Sequence, residues 1–379
     1  MACKSVRELE RVGPVHIGSV DVFAVSVPMH EPFRISSGVV ERKDATLLRI
    51  QSGEYFGWGE SSAMPGAFYS ADTPASCQAQ LLQTLPHLVG KSFETMRALE
   101  AWLLERGLSP FVRVAVETAA WELLAREEGV SVRKLFGLPE LDVPTGLAVG
   151  LYPTLEELKA ALVRYRPLDY ARLKIKIKRG QDVALVRAVR EGYGEIPLFV
   201  DANADYGAAD LDIFHELDRY GLMMFEQPFA KSDLETSSTL QQSVKTPLCF
   251  DEGIESAADV HAAAQCDAMR IVNIKLQRVG GFLEAFRILE ACSTYNIPFW
   301  MGTMPELGVG SAQALILASH PACRFPTDVE PSDRWYEGDV LAPRLEMKAG
   351  TLSVPAGPGL GFTIDEEQLR RFTLQRWSF

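Results

Sequence analysis

The chain reads as an α/β protein in which an N-terminal α+β capping domain precedes a (β/α)-barrel. Three observations predict this: a strand-rich start interrupted by loops, a later alternation of short apolar strands with helix-like stretches, and polar residues closing successive strands at a nearly constant interval. Lys176, Asp201, Glu226 and Asp251 are each 25 residues apart, and Lys275 follows 24 further on. Eight βα units of that size fit a barrel of about 250 residues including insertions.

The cap comes first. Residues 16–27 and 45–51 are rich in β-branched side chains, and Ser52-Gly53 turns the chain into 54–60, which together predict an antiparallel meander. Stretches 29–38 and 63–70, full of Pro, Gly, Ser and aromatics, are expected to be irregular connections. From Thr73 the apolar spacing becomes helical, and Ser109-Pro110 supplies the N-cap and first-turn residue of a helix reaching about Glu128. Residues 1–140 are assigned to this cap.

The barrel strands follow from Val143. VPTGLAVG is the first, the apolar runs ending at Lys176, Asp201, Glu226, Asp251 and Lys275 are the next five, IPFWMG is the seventh, and 323–325 is the eighth. Residues 141–350 are therefore assigned to the barrel, and 351–379 to a segment returning to the cap. An open doubly wound sheet would alternate in the same way, but its nucleotide-binding turns are Gly-rich. Gly280-Gly281 lacks the GxGxxG spacing, and no Walker sequence occurs.

Composition narrows the function classes. With 379 residues, 47% of them hydrophobic and 23% charged, the chain can bury a large core. Its six cysteines are scattered without CxxC or zinc-ligand spacing and are expected to be reduced and non-catalytic. A net charge of -12 opposes a phosphate backbone, which excludes nucleic acid as the partner. The polar start lacks an apolar h-region, and no run of about 18 apolar residues follows, so a cytoplasmic location without membrane insertion is expected.

The strand ends carry the chemistry. Side chains at the C-terminal ends of barrel strands converge on one mouth, so Asp201, Glu226 and Asp251 would bring three carboxylates together. A divalent cation would relieve their repulsion, and all-oxygen ligation with open positions suits Mg²⁺, with Mn²⁺ as a substitute, better than zinc. Any one of these acids could instead cap the following helix; three at equal spacing, each after an apolar run, favour a shared site. None of the six histidines falls at a barrel strand end.

Lys174, Lys176 and Lys178 alternate along one strand, so either they turn toward the mouth or the strand ends early. Like-charge neighbours and partial burial lower a lysine pKa, which would help make Lys176 a base, with Lys275 across the ring. A proton next to a carboxylate is too weakly acidic for an unaided lysine, so a metal cation and a second amine are the expected stabilisers. A leaving group β to the carbanion would give elimination; without one, reprotonation from the other face would give racemisation.

These residues resemble a known family. RLKIKIKRGQD, VDANADY, FEQP, FDEG and NIKLQRVGG are similar, in order and spacing, to the muconate lactonizing enzyme subgroup of the enolase superfamily. PFRISSG, GWGESSAMPGAFYS and TDVEPSDRWY are similar to its o-succinylbenzoate synthases and N-succinylamino acid racemases. The resemblance spans nearly the whole chain. It implies an enolase-type barrel, Mg²⁺ on Asp201, Glu226 and Asp251, Lys176 as general base, Lys275 as the opposing lysine, and Lys174 and Asn203 lining the same site. It further implies that the two cap loops close over the mouth, and that the reaction is dehydration to o-succinylbenzoate, a menaquinone precursor, with racemisation of N-succinylamino acids in the same pocket.

Departures from the pattern bear on substrate. Where GVSVG is frequent on the first barrel strand this chain has Gly146-Leu147-Ala148-Val149-Gly150, and a GGMxE-type turn is replaced by Gly302-Thr303-Met304-Pro305-Glu306. Gly302, Thr303 and Met304 are therefore expected beside the substrate. NIKPGR becomes NIKLQR with Arg278 retained, and Asp328-Val329-Glu330 only loosely matches the DxD of dipeptide epimerases. Racemisation alone and muconate cycloisomerisation are the alternative reactions. A non-catalytic carboxylate-binding protein would require the loss of one of the three acids or two lysines, and none is lost. The expected partner is a small-molecule carboxylate, and a homo-oligomer is compatible with this class of barrel.

Overall fold

The computed structural model describes residues 3–35, 38–66, 70–354 and 356–379. In the cap, strands β1 (Ser19–Ile35), β2 (Gly38–Ser52) and β3 (Tyr55–Ser61) form the predicted antiparallel meander. Helices α1 (Pro74–Leu88), α2 (Met96–Leu104) and α3 (Pro110–Glu127) follow, with α3 opened by Ser109 Oγ accepting from Phe111 N. Most of α3 is buried because one side lies on the sheet and another meets the barrel. Gly57 and Gly59 of β3 permit that approach: a Cβ on either would stand about 2 Å from a carbonyl oxygen of α3, 2.0 Å from Ala119 O and 1.8 Å from Ala115 O.

The stretch 29–38 differs from expectation. Its described residues mostly extend the β1–β2 hairpin, with the register broken only between Pro28 and Phe33, because the prolines bulge the strand without ending the pairing. Positions 36–37 and 67–69, within the two expected loops, lie outside the described residues.

The barrel strands are β4 (Leu147–Val149), β5 (Leu173–Lys176), β6 (Leu198–Asp201), β7 (Phe225–Glu226), β8 (Leu248–Phe250), β9 (Ile271–Ile274) and β10 (Phe299–Met301). They are parallel and hydrogen-bonded in sequence order. That order has no reversal, so the doubly wound alternative fails. The eighth position is not a regular strand. Residues 323–328 instead close the ring by single bonds on both sides: Arg324 N to Phe299 O (3.0 Å) and Asp328 N to Met301 O (3.0 Å), then Thr327 N to Pro144 O (2.9 Å) and Gly146 N to Thr327 O (2.9 Å). Pro326, which has no N–H to give, interrupts what would otherwise be a ladder.

Phe199, Met224, Cys249, Ile271 and Trp300 fill the barrel floor. The tail returns to the cap through β11 (Thr373–Ser378), which pairs antiparallel with β1. The six cysteines are unpaired. Among the described residues no helix is long and apolar enough to cross a membrane.

Candidate active site

Strand β5 sets the frame. Alternation turns Arg172 and Lys174 into the barrel and Lys176 to its mouth, while Lys178 lies past the strand end and is exposed. Lys176 stands on the second position of the ring and Lys275 directly after the sixth, four places apart out of eight and so across from one another. Both line one cavity that opens to solvent.

The three acids end consecutive strands as expected, and none is a helix N-cap; Gln181, Asp210, Asp233 and Ser256 hold those positions in the helices that follow β5 to β8. Lys174 Nζ sits among them, 3.0 Å from Asp201 Oδ2, 2.7 Å from Glu226 Oε2 and 3.2 Å from Asp328 Oδ2. Lys176 Nζ donates to Asp201 Oδ2 (2.7 Å) and Asn203 Oδ1 (2.6 Å), and Lys275 Nζ to Asp251 Oδ2 (2.7 Å). Arg278 pairs with the other oxygen of Asp251. As placed, the carboxylates face amines, and among the described residues no three His, Cys, Asp or Glu side chains converge directly on one point.

Electrostatics divide these groups. Burial alone would raise Asp251, but Arg278, Lys275 and Lys174 outweigh it and hold the carboxyl below its ordinary range. Asp201 is lowered in the same way by Lys174 and Lys176. Burial and then the Asp201 charge push Glu226 up to about 8, and burial and then Asp251 push Glu252 to about 7. Burial would lower Lys174, yet Asp201, Asp328 and Glu226 together raise it well above its ordinary value. Acids within contact distance outweigh the cost of burying the ammonium.

The site also contains residues that strand-end spacing did not single out. Arg172, buried completely, pairs with Asp328, which also reaches Lys174. Asn273 Nδ2 donates to Glu226 Oε1 (2.9 Å), and Asn203 Nδ2 to Glu252 Oε1 (3.2 Å). Strand parity was the available signal, because Arg172 precedes Lys174 by two residues and Asn273 precedes Lys275 by two. Asn203, Ala204 and Gln227 adopt positive φ just after β6 and β7, backbone strain of the kind that gathers at functional sites.

Thr303, Met304 and Asn203 line the cavity with Phe33, Met64 and Trp335. Gly302 does not; it packs on Asn273, whose Oδ1 a Cβ there would meet at 2.3 Å. The donor set fits a hard divalent cation. Asp201, Glu226 and Asp251 are buried and offer only oxygen, and Glu226 Oε2 lies beside Lys174 without the alignment of a hydrogen bond.

Comparison with known proteins gives the same architecture. Residues 17–137 match the mandelate racemase / muconate lactonizing enzyme N-terminal domain, and 154–368 match the enolase C-terminal domain-like family. An o-succinylbenzoate synthase from Bacillus subtilis (strain 168) is 34% identical over 94% of this chain and 97% of its own length. An N-succinylamino acid racemase from an Amycolatopsis species is 35% identical over 94% and 97%. The solved structure of an enolase superfamily member from Listeria innocua Clip11262 superposes with a TM-score of 0.90 at 31% identity, covering 96% of this chain and 99% of that one. With both domains matched along most of their length and the strand-end acids and lysines gathered at one barrel mouth, the chain belongs to the enolase superfamily.

Proposed function

We propose that the chain removes the proton α to a substrate carboxylate, acting as an o-succinylbenzoate synthase and racemising N-succinylamino acids in the same pocket. The observation that carries this reading is the pair of amines, Lys176 and Lys275, on opposite sides of the ring and lining one cavity. Relatives named for both activities match this chain at 34% and 35% identity.

Asp201, Glu226 and Asp251 would hold Mg²⁺, which when bound supplies Lewis-acid stabilisation of the negative charge that builds on the substrate carboxylate. Lys176 Nζ, held by Asp201 and Asn203, takes the α-proton from one face. Lys275 Nζ, held by Asp251, presents its charge to the opposite face. In dehydration the α C–H and β C–O bonds break, a C=C bond forms and water leaves. In racemisation Lys275 returns a proton to the far face. Phe33, Met64 and Trp335 exclude water around the reacting carbon, with Thr303 and Met304 touching the substrate. The same reading includes a cap of residues 1–140, a barrel of 141–350 and a returning segment of 351–379, a cytoplasmic location, a step toward menaquinone, Mn²⁺ as a substitute metal and homo-oligomeric assembly.

Purified protein with Mg²⁺ tests the proposal. Loss of absorbance from the cyclohexadiene substrate reports elimination, and exchange of the α-proton of both enantiomers of an N-succinylamino acid in D₂O reports two-base chemistry. Neither signal from folded, Mg²⁺-loaded protein would overturn it. One observation favours racemisation alone as a second reading: each lysine is held by one strand-end aspartate at 2.7 Å, a near-symmetric arrangement suited to proton transfer from either side.

A further inference from the structure

Two stretches of the cavity wall come from different parts of the chain. Met64 follows β3 of the cap and Met304 follows β10 of the barrel; both are buried, and both line the cavity that holds Lys176 and Lys275. Lys43 on β2 does not line that cavity, yet it touches both stretches. Its side chain is buried, and its Nζ lies between two backbone carbonyls, 3.5 Å from Ser62 O and 3.4 Å from Met304 O. One amine therefore meets the cap segment that leads to Met64 and also Met304 itself.

The other polar groups around it are already engaged. Glu60 accepts from Ser62 Oγ, Leu307 N (2.7 Å) and Gly310 N (2.8 Å), and Glu306 accepts from Met304 N (3.1 Å). Ser62 N donates to Gln277 Oε1 (2.9 Å), and Gln277 Nε2 to Glu60 O (2.8 Å). Each stretch thus has its N–H held by a fixed acceptor, which leaves the two carbonyls to the amine; among the described residues no other donor reaches either of them. Among the same residues Lys43 makes no direct ion pair. Burial lowers its proton affinity, and Glu60, Glu306 and Asp44 offset only part of that from further away. Such an amine is a poor device for stability alone, because an apolar side chain of the same length would fill the space without desolvating a cation. What the apolar side chain lacks is donors for two carbonyls at once.

Resting on the proton-abstraction reading, we infer that Lys43 is a positioning residue for substrate binding. By holding Ser62 O and Met304 O it fixes where Met64 and Met304 stand in the wall, and so how closely the wall meets the part of the substrate away from the reacting carbon. Lys43 itself touches neither the substrate nor the two catalytic amines. Its contribution is binding that ground state and transition state share, which enters KM more than kcat.

The test follows α-proton exchange of an N-succinylamino acid in D₂O by the Mg²⁺-loaded protein and reads kcat and KM separately. Lys43→Met keeps the length of the side chain and removes its donors; it is expected to raise KM about tenfold while changing kcat less than about threefold. Met304→Ala should raise KM as well, and the double variant should fall well short of the product of the two effects, because part of the Lys43 effect passes through Met304. Glu117→Ala, which loosens the packing of cap on barrel without touching either stretch, should leave KM unchanged and so separates positioning from stability. A KM within twofold of the wild type in Lys43→Met, a multiplicative double variant, or an equal rise in Glu117→Ala would overturn the assignment. If Lys43→Met does not fold, Lys43→Gln, which keeps a donor on a shorter side chain, is held to the same three outcomes. A wild type that exchanges no substrate would instead defeat the proton-abstraction reading itself, and the positioning role with it.

Discussion

Two sets of buried acids in this molecule are satisfied in opposite ways. Along the seam between cap and barrel the donors are largely backbone amides. Glu60 accepts from Leu307 N (2.7 Å) and Gly310 N (2.8 Å), and Glu117 from Phe282 N (2.9 Å), Leu283 N (3.0 Å) and Trp121 Nε1 (2.7 Å). At the mouth the partners of Asp201, Glu226 and Asp251 are mostly side chains of Lys174, Lys176, Lys275, Arg278 and Asn273, apart from Asn203 N on Asp201 (3.0 Å). Backbone donors cannot leave without moving the helix that carries them. Ammonium groups on four-carbon stems can rotate and exchange partners. The seam is thus built to hold the cap over the barrel, and the mouth is built to trade ions.

The largest expected effect separates the two sets by activity. Lys176→Ala should slow α-proton exchange in D₂O by roughly a thousandfold while leaving the circular dichroism and the melting transition near those of the wild type. Retention of exchange in this variant would remove the base from the mechanism. Excess EDTA should likewise abolish exchange, and Glu226→Gln should weaken Mg²⁺ binding, measured by calorimetry, by more than about tenfold. Asn273 Nδ2 can still donate to the Gln carbonyl, but the Gln amide nitrogen then faces the Lys174 ammonium, so metal-free stability should fall as well, by about 1–3 kcal/mol. A loss well beyond that range would make Glu226 a seam-like residue and blur the contrast.

Glu117 tests the other side. Glu117→Ala orphans two backbone N–H groups at the start of the helix Phe282–Thr294 and the indole of Trp121, and should cost about 2–4 kcal/mol in denaturant unfolding with exchange per folded molecule unchanged. Burial pushes the Glu117 carboxyl from 4.5 up to about 7. The folded state therefore keeps this proton where the unfolded chain has released it. The stability contributed by the neutral acid is complete below pH 4.5 and is lost as pH climbs toward 7. Glu117→Gln, which cannot ionise, should show a flatter pH dependence of stability across that window than the wild type. An identical slope in both would mean that Glu117 is ionised throughout.

How much of this was legible in the sequence depended on whether a residue's role is local. Strand ends 25 residues apart exposed the barrel and its acids because one βα unit repeats. Ser109-Pro110 marked its helix because a cap is written in adjacent residues. The extension of the hairpin through 29–35 was hidden because cross-strand pairing, not composition, keeps a proline-containing stretch extended. The eighth position was overread because Pro326 limits the ladder there. Arg172 and Asp328, 156 residues apart, meet only when the ring closes, and spacing along the chain carries no record of that contact.

The smallest expected effect is the most exacting test of register. Lys174, Lys176 and Lys178 are chemically identical and evenly spaced, so sequence alone treats them alike. Strand β5 ends at Lys176, and beyond it the chain turns outward, which leaves Lys178 exposed while Lys174 is buried against three carboxylates. Lys178→Ala should therefore alter stability by less than about 0.5 kcal/mol and exchange by less than about twofold. Lys174→Ala should remove the ammonium group between Asp201 and Glu226 and impair both stability and exchange. If Lys178→Ala were as damaging as Lys176→Ala, the strand would have to run two residues further, every side chain after Lys176 would change its surroundings, and the division between mouth and surface drawn from β5 would fail.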